Sequence, residues 1–385
     1  MRPEALRAYL TAAAAGGGNA SSLHTSGRAA RRGVEESRER VAAALGARPS
    51  EVVFTAGGTE ADNLAVKGLY WSRNSADPRR TRVLVGAGEH PAVLDAAQWL
   101  ATHQSARRED LPLDSTGRVR PETLLAAVER DPGSVSLVSV MWANNEVGTI
   151  NPVAELAALA RSYGIPFHTD AVQAVGSVPV DFTAVGADAL SLSGHKVGGP
   201  VGAGALLLRR GLDLAPLLHG GGQERDVRSG TLDGPAIAAF ATAVDLAVAE
   251  QAAESARLSG LRDELVGRLR AVVPDAVLNG APPGADRLPG NAHLTFPACE
   301  GDSLLMLLDA RGIECSTGSA CSAGVAQPSH VLLAMGFGEE AARGCLRFSL
   351  GRTSAPSDVD ALVEAIGPVV ERARRASALA GSANR

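Results

Sequence analysis

This chain of 385 residues predicts an α/β fold: a mostly parallel sheet flanked by helices, followed by a smaller α+β domain. Three observations carry that expectation. Between residues 50 and 210, short β-branched runs alternate with longer Ala- and Leu-rich stretches, the rhythm of βα units. Polar residues collect just past the apolar runs, where sheets of this kind bind ligands. After residue 235 a long Ala-rich stretch reads as one helix and leads into shorter strands and helices.

In chain order, the strand candidates of the large domain are EVVF (51–54), RVLVG (82–86), VSLVSVMW (135–142), IPFHTD (165–170), ADALSLS (187–193) and GAGALLL (202–208). Their carboxyl ends carry Thr55 to Glu60, Glu89 and His90, Asn144 and Asn145, His168 to Gln173, and Ser193 to Lys196, the pattern of one active site unrolled along a chain. The helix at about 235–271 links this domain, residues 1–255, to a second one, residues 256–385. The second carries strands near AVLN, NAHLTF and CLRFSL and helices at 301–311, 328–336 and 356–375, and its last residues, ALAGSANR, read as frayed.

Composition excludes several classes. A net charge of -5 offers no broad basic face for nucleic acid. No apolar run reaches the roughly 18 residues that a membrane span needs. Glu4 and Arg7 interrupt the N-terminal stretch that a secretion signal would require, so the expected setting is cytoplasmic. The four cysteines, Cys299, Cys315, Cys321 and Cys345, show no CxxC pair and no histidine spacing for zinc, so no metal site is expected.

Only two lysines occur, Lys67 and Lys196, against many arginines. Arginine keeps its proton, whereas a lysine amine can lose its own and attack a carbonyl carbon to form a Schiff base. Lys196 stands in a Ser-Gly-His-Lys turn between an apolar strand and a Gly-rich one. Upstream, Asp170 ends a strand; there a carboxylate can cap a helix or keep the ring nitrogen of pyridoxal phosphate protonated. Gly57, Gly58 and Thr59 open a helix, a place that favours a phosphate.

The ordered set FTAGGTEADNLAVKG, GEHPAVLD, MWANNEVGTI, HTDAVQAVG, SLSGHKVGGPVGAGAL, HGGGQERDVRSGT, STGSACSAG and RFSLGR closely resembles the NifS/IscS cysteine desulfurases over about residues 18–370. These are pyridoxal-phosphate enzymes of fold type I in the class-V aminotransferase family, with a mostly parallel seven-stranded sheet. The resemblance implies that Lys196 carries the cofactor, Asp170 pairs with its ring nitrogen, Gln173 bonds its phenolic oxygen and His90 stacks on its ring. It gives the phosphate to Gly58, Thr59, Ser193 and His195, joined by Thr231 from the partner subunit of a homodimer. It assigns the substrate carboxylate of L-cysteine to Arg347 and Asn145, with Asn145 also touching the cofactor. Cys321, in a run of small residues that suggests a mobile loop, would take the substrate sulfur as a persulfide.

The activity so implied turns L-cysteine into L-alanine and passes the sulfur to an acceptor, an iron–sulfur scaffold or a tRNA-thiolating enzyme. A selenocysteine lyase, an aminotransferase and a non-catalytic scaffold are the competing readings. Cys299, Cys315 and Cys345 sit in or beside apolar segments and read as packing residues. One departure is visible: relatives place a short strand with an Asp-x-Ala-Ala-Thr-Thr segment ahead of the PEAL helix. Either the start lies upstream of Met1 or this form has lost that strand.

Overall fold

The computed structural model describes residues 1–16, 18–317 and 328–383. The elements, in chain order, are α1 (Pro3–Ala14), α2 (Thr25–Ala44), β1 (Val52–Thr55), α3 (Gly58–Ala76), β2 (Arg82–Gly86), α4 (Pro91–His103), β3 (Arg107–Leu111), α5 (Pro121–Glu129), β4 (Val135–Ser139), α6 (Val153–Ser162) and β5 (Phe167–Asp170). They continue with α7 (Phe182–Val185), β6 (Ala189–Ser193), β7 (Gly204–Leu208), α8 (Gly234–Val272), β8 (Val277–Leu278), β9 (Asn291–Thr295), α9 (Gly301–Asp309), α10 (His330–Ala334), α11 (Glu339–Arg343), β10 (Cys345–Ser349) and α12 (Pro356–Ala383).

Two units form. The first holds residues 1–111, 119–142 and 151–252; the second holds 112–118, 143–150 and 253–385. In the first, seven strands run in the order β1-β7-β6-β5-β4-β2-β3. All neighbours from β6 to β3 are parallel, and β7 pairs antiparallel with both β6 and β1. The mostly parallel seven-stranded sheet is therefore as expected. Its edge strand β3, RREDL, had no signal: an edge strand carries charges that keep it from pairing further, so it never reads as an apolar run.

Helix α3 organises this sheet. Ala61, Leu64, Ala65 and Leu69 recur at helical spacing and pack on Val53, Val83, Val85, Leu137, Ala189 and Leu206. Residues 220–230 are tied down by charge: Arg38, on α2, makes paired bonds of 2.6 and 2.7 Å to Glu224, whose Oε2 also accepts the Phe54 N–H at 2.9 Å. Glu224 is fully buried and Arg38 3 % exposed. Removing one partner of such a pair strands a buried charge, a cost of about 3–5 kcal/mol. Glu224→Ala is accordingly expected to lower the thermal midpoint by roughly 6–20 °C, at about 2–4 °C per kcal/mol for a unit of this size. The double variant Arg38→Met/Glu224→Leu should recover most of the loss, and an unchanged midpoint in Glu224→Ala would contradict the clamp.

In the second unit, Leu258, Leu261, Leu265 and Leu269 of α8 pack with Leu294 and Phe296 and with Ile366, Val369 and Val370 of α12, around the antiparallel sheet β10-β9-β8. Two sequence expectations change here. Helix α8 contains a stretch long and apolar enough, by composition, to cross a membrane, although no such run was expected. Its Ile237, Phe240, Ala243 and Val244 are buried in the protein core, which accounts for the apolar face. Helix α12 continues to Ala383, through most of the stretch expected to fray.

Candidate active site

The cofactor candidates of the first unit lie where its strands end. Asp170 closes β5 and is 5 % exposed. Its Oδ1 accepts the Val172 N–H at 2.8 Å. Burial pushes its pKa up to about 6, while the Val172 N–H and Lys196 pull it down. Such a desolvated carboxylate favours a cation beside it.

Lys196 follows β6 in the single turn Gly194–Val197, exposed, with its charge felt at Asp170. The other lysine, Lys67, is spoken for: its Nζ lies 4.6 Å from the centre of the Trp99 ring. Ser193, 2 % exposed, hydrogen-bonds His195 Nδ1 at 2.9 Å. Burial and then Lys196 lower the His195 pKa, which favours the neutral imidazole.

Gly57 precedes the first turn of α3 with φ 144°, a conformation that side chains avoid. A Cβ on Gly58 would sit 2.8 Å from Val172 Cγ2 and 3.5 Å from Ser193 Cβ. The helix start is thus pressed against the ends of β5 and β6, with exposed Thr59 at its rim. His90 caps α4: its Nδ1 accepts the Ala92 N–H at 3.1 Å, which leaves Nε2 to carry the ring proton. Gln173 is half-buried and Thr231 exposed.

Arg347 and Asn145 belong to the second unit. The tight hairpin 143–150 is closed by the Ala143–Ile150 bridge, and Asn144 Oδ1 accepts the N–H groups of Glu146 and Val147 at 2.9 Å. That turn presents the Asn145 carbonyl, which accepts from Arg347 Nη1 at 2.8 Å. Arg347 lies on β10 opposite His293 of β9. Its Nε is buried and has no hydrogen-bond partner among the described residues. Burial lowers the guanidinium pKa and nearby Glu146 raises it. A half-buried guanidinium with an unused donor suits a carboxylate.

Cys321 lies outside the described residues. The chain flanking it is anchored on the carboxylate-reading side of this unit: Ser316 exchanges two backbone bonds with Arg347, and the Ser329 hydroxyl donates to buried Glu146. Burial raises the other thiols, Cys299 above its ordinary value, Cys315 to about 11 and Cys345 to about 12. They are poor nucleophiles.

Pyridoxal phosphate needs partners for a phosphate, a ring nitrogen and an aldehyde. The N-terminus of α3 beside Ser193 and His195 suits the first, desolvated Asp170 the second and the Lys196 amine the third. The residues fit the group. Sequence reading missed Asp62 of α3, which is 1 % exposed behind this cradle; a polar letter early in a helix ordinarily marks a solvated turn.

Fold and cradle together define a pyridoxal-phosphate enzyme of fold type I. The Aminotransferase class-V family matches residues 3–362. An IscS-like cysteine desulfurase of Mycobacterium tuberculosis is 58 % identical over 368 residues, 96 % of this chain and 93 % of that protein. Cysteine desulfurase IscS of Methanosarcina thermophila is 42 % identical over 98 % of this chain and 91 % of its own. Among solved structures, a NifS-like protein superposes with a TM-score of 0.88 at 33 % identity, covering 97 % of this chain and 96 % of that one. The chain belongs to the class-V aminotransferase family, among the IscS/NifS-type cysteine desulfurases.

Proposed function

We propose that the protein removes sulfur from L-cysteine, releasing L-alanine and holding the sulfur as a persulfide on Cys321. The observation that carries this reading is the cradle of Asp170, Lys196 and the α3 N-terminus in a chain that matches a desulfurase over 96 % of its length. Bound pyridoxal phosphate supplies the electron sink that makes the substrate α-proton removable. Asp170 would keep a proton on the ring nitrogen, a cation that a desolvated carboxylate favours. Gly58, Thr59, Ser193 and His195 would hold the phosphate, Gln173 would bond the phenolic oxygen, and His90 would contact the ring. Arg347 and Asn145 take the substrate carboxylate.

With the cofactor bound, Lys196 would hold its aldehyde carbon and would move the substrate α-proton as a base. The Cys321 thiolate attacks the substrate sulfur: an S–S bond forms, the C–S bond breaks, and its electron pair stays on the carbon side. Protons delivered there, with His90 as one carrier, complete L-alanine. The balance is L-cysteine plus one thiol to L-alanine plus one persulfide, and a second thiol later removes the sulfur.

A homodimer in which Thr231 serves the partner's phosphate, delivery of sulfur to an iron–sulfur scaffold or a tRNA-thiolating enzyme, and a cytoplasmic setting belong to the same proposal.

The test is product stoichiometry. Purified protein with pyridoxal phosphate, L-cysteine and a reducing thiol should release alanine and sulfide in equal amounts; pyruvate or transamination products instead would sink the reading. Arg347→Lys loses the planar fork and should raise KM for L-cysteine by roughly 10- to 100-fold, the weight of about 1.5–3 kcal/mol for a charge-assisted bond. A fall in kcat at unchanged KM would remove Arg347 from the carboxylate.

A further inference from the structure

Behind Asp170, between the sheet and α3, lies a polar chain sealed from water. His168, fully buried on β5, hydrogen-bonds Ser139 of β4 through Nδ1 at 2.8 Å and Ser191 of β6 through Nε2 at 2.9 Å. Asp62 reaches in from α3: its carboxyl interacts with the Ser191 hydroxyl, and its Oδ1 stands 3.7 Å from His168 Nε2 without a hydrogen-bond partner.

Two placements of hydrogen satisfy the chain. In one, an ionised Asp62 accepts from Ser191, His168 Nε2–H donates to Ser191, and Ser139 donates to Nδ1. In the other, a protonated Asp62 donates to Ser191, Ser191 donates to Nε2, and Nδ1–H donates to Ser139. The surroundings choose between them. The titratable groups facing Asp62 are His168 and Asp170 on β5 and Glu89 after β2. Burial takes the His168 pKa down to about 3, so it is neutral, and the other two are acids. No lysine or arginine among the described residues forms an ion pair with Asp62. An anion buried there would lack a counter-charge and leave one oxygen bare, whereas a carboxylic acid carries no such charge. Burial first, then Asp170, raises the Asp62 pKa well above the ordinary aspartate range, with Ser191 opposing.

We propose that Asp62 is a positioning residue that carries its own proton in the working enzyme, anchoring the Ser191–His168–Ser139 chain and leaving Asp170 as the anion of the cofactor cradle. The inference rests on the reading of Asp170 as partner of the ring nitrogen. It separates two buried carboxyls into one donor and one anion, as neighbouring acids with different environments do.

The sign of a stability effect tests it. An acid whose pKa rises on folding holds its proton in the native state where the unfolded chain has lost it. Stability therefore drops as pH rises from about 4 through the folded value. Asp62→Asn mimics the neutral acid without that loss. In the holoenzyme with fixed excess pyridoxal phosphate, Asp62→Asn should raise the thermal midpoint near about pH 8, by roughly 3 °C or more, and the gap should close toward about pH 5. A lower midpoint near pH 8 that recovers in acid would overturn the proposal, because it marks a lost carboxylate.

If the variant does not fold, the infrared spectrum of wild-type holoenzyme labelled with ¹³C-aspartate decides at the same pH. A label-sensitive band of protonated carboxylic acid supports the proposal, and carboxylate bands alone contradict it. Asp170→Asn tests the underlying reading separately. If it leaves cofactor affinity and visible absorption unchanged, the ring-nitrogen assignment fails while the Asp62 readout stands.

Discussion

Lys196→Ala is expected to reduce alanine formation from L-cysteine by at least about 10²- to 10⁴-fold, the share that a positioned acid–base group alone supplies. The loss should be larger still, because the same amine also holds the cofactor in place. Lys196→Arg should be equally inactive: a guanidinium stays protonated at any working pH, so it neither bonds the aldehyde nor accepts an α-proton. Wild-type protein treated with borohydride should retain the cofactor on the peptide bearing Lys196, and both variants should release it on denaturation. The alternative carrier, Lys67, is held over Trp99. Retention of cofactor on Lys67, or substantial turnover by Lys196→Arg, would dismantle the cradle described above.

Cys321→Ser is expected to stop alanine and persulfide formation together while leaving the visible absorption of the bound cofactor in place. Serine offers no thiolate and forms no S–S bond. Its neighbours in composition cannot stand in: with Cys315 raised to about 11 and Cys345 to about 12, thiolate fractions near neutral pH are on the order of 10⁻⁴ or below. The residual rate therefore measures background attack by added thiol. Loss of the cofactor's absorption in this variant would instead place Cys321 in the cradle, and undiminished alanine release would place the sulfur chemistry elsewhere.

Much of this fold could be read from the chain because strands buried along their whole length leave largely apolar runs, as in β2 and β7. Strand β3 could not, since RREDL is written for the solvent at a sheet edge. The cradle was legible as letters at strand ends: Asp170, Ser193, His195 and Lys196 fall where β5 and β6 stop. Chain order hid other features. Asn145 sits among large-domain elements in sequence, yet hairpin 143–150 groups with the second unit and its carbonyl holds Arg347. Asp62 reads as a polar residue near a helix start, and only the packing of α3 on the sheet makes it a buried acid.

The central claim is that sulfur passes through one thiol. The most direct measurement is peptide mass spectrometry of the holoenzyme after brief exposure to L-cysteine without reductant, trapped with an alkylating agent. One additional sulfur on the peptide containing Cys321, matched by an equal amount of alanine and absent from peptides containing Cys299, Cys315 and Cys345, is the predicted result. Alanine formed with no added sulfur on Cys321, or with the sulfur on another cysteine, would contradict it.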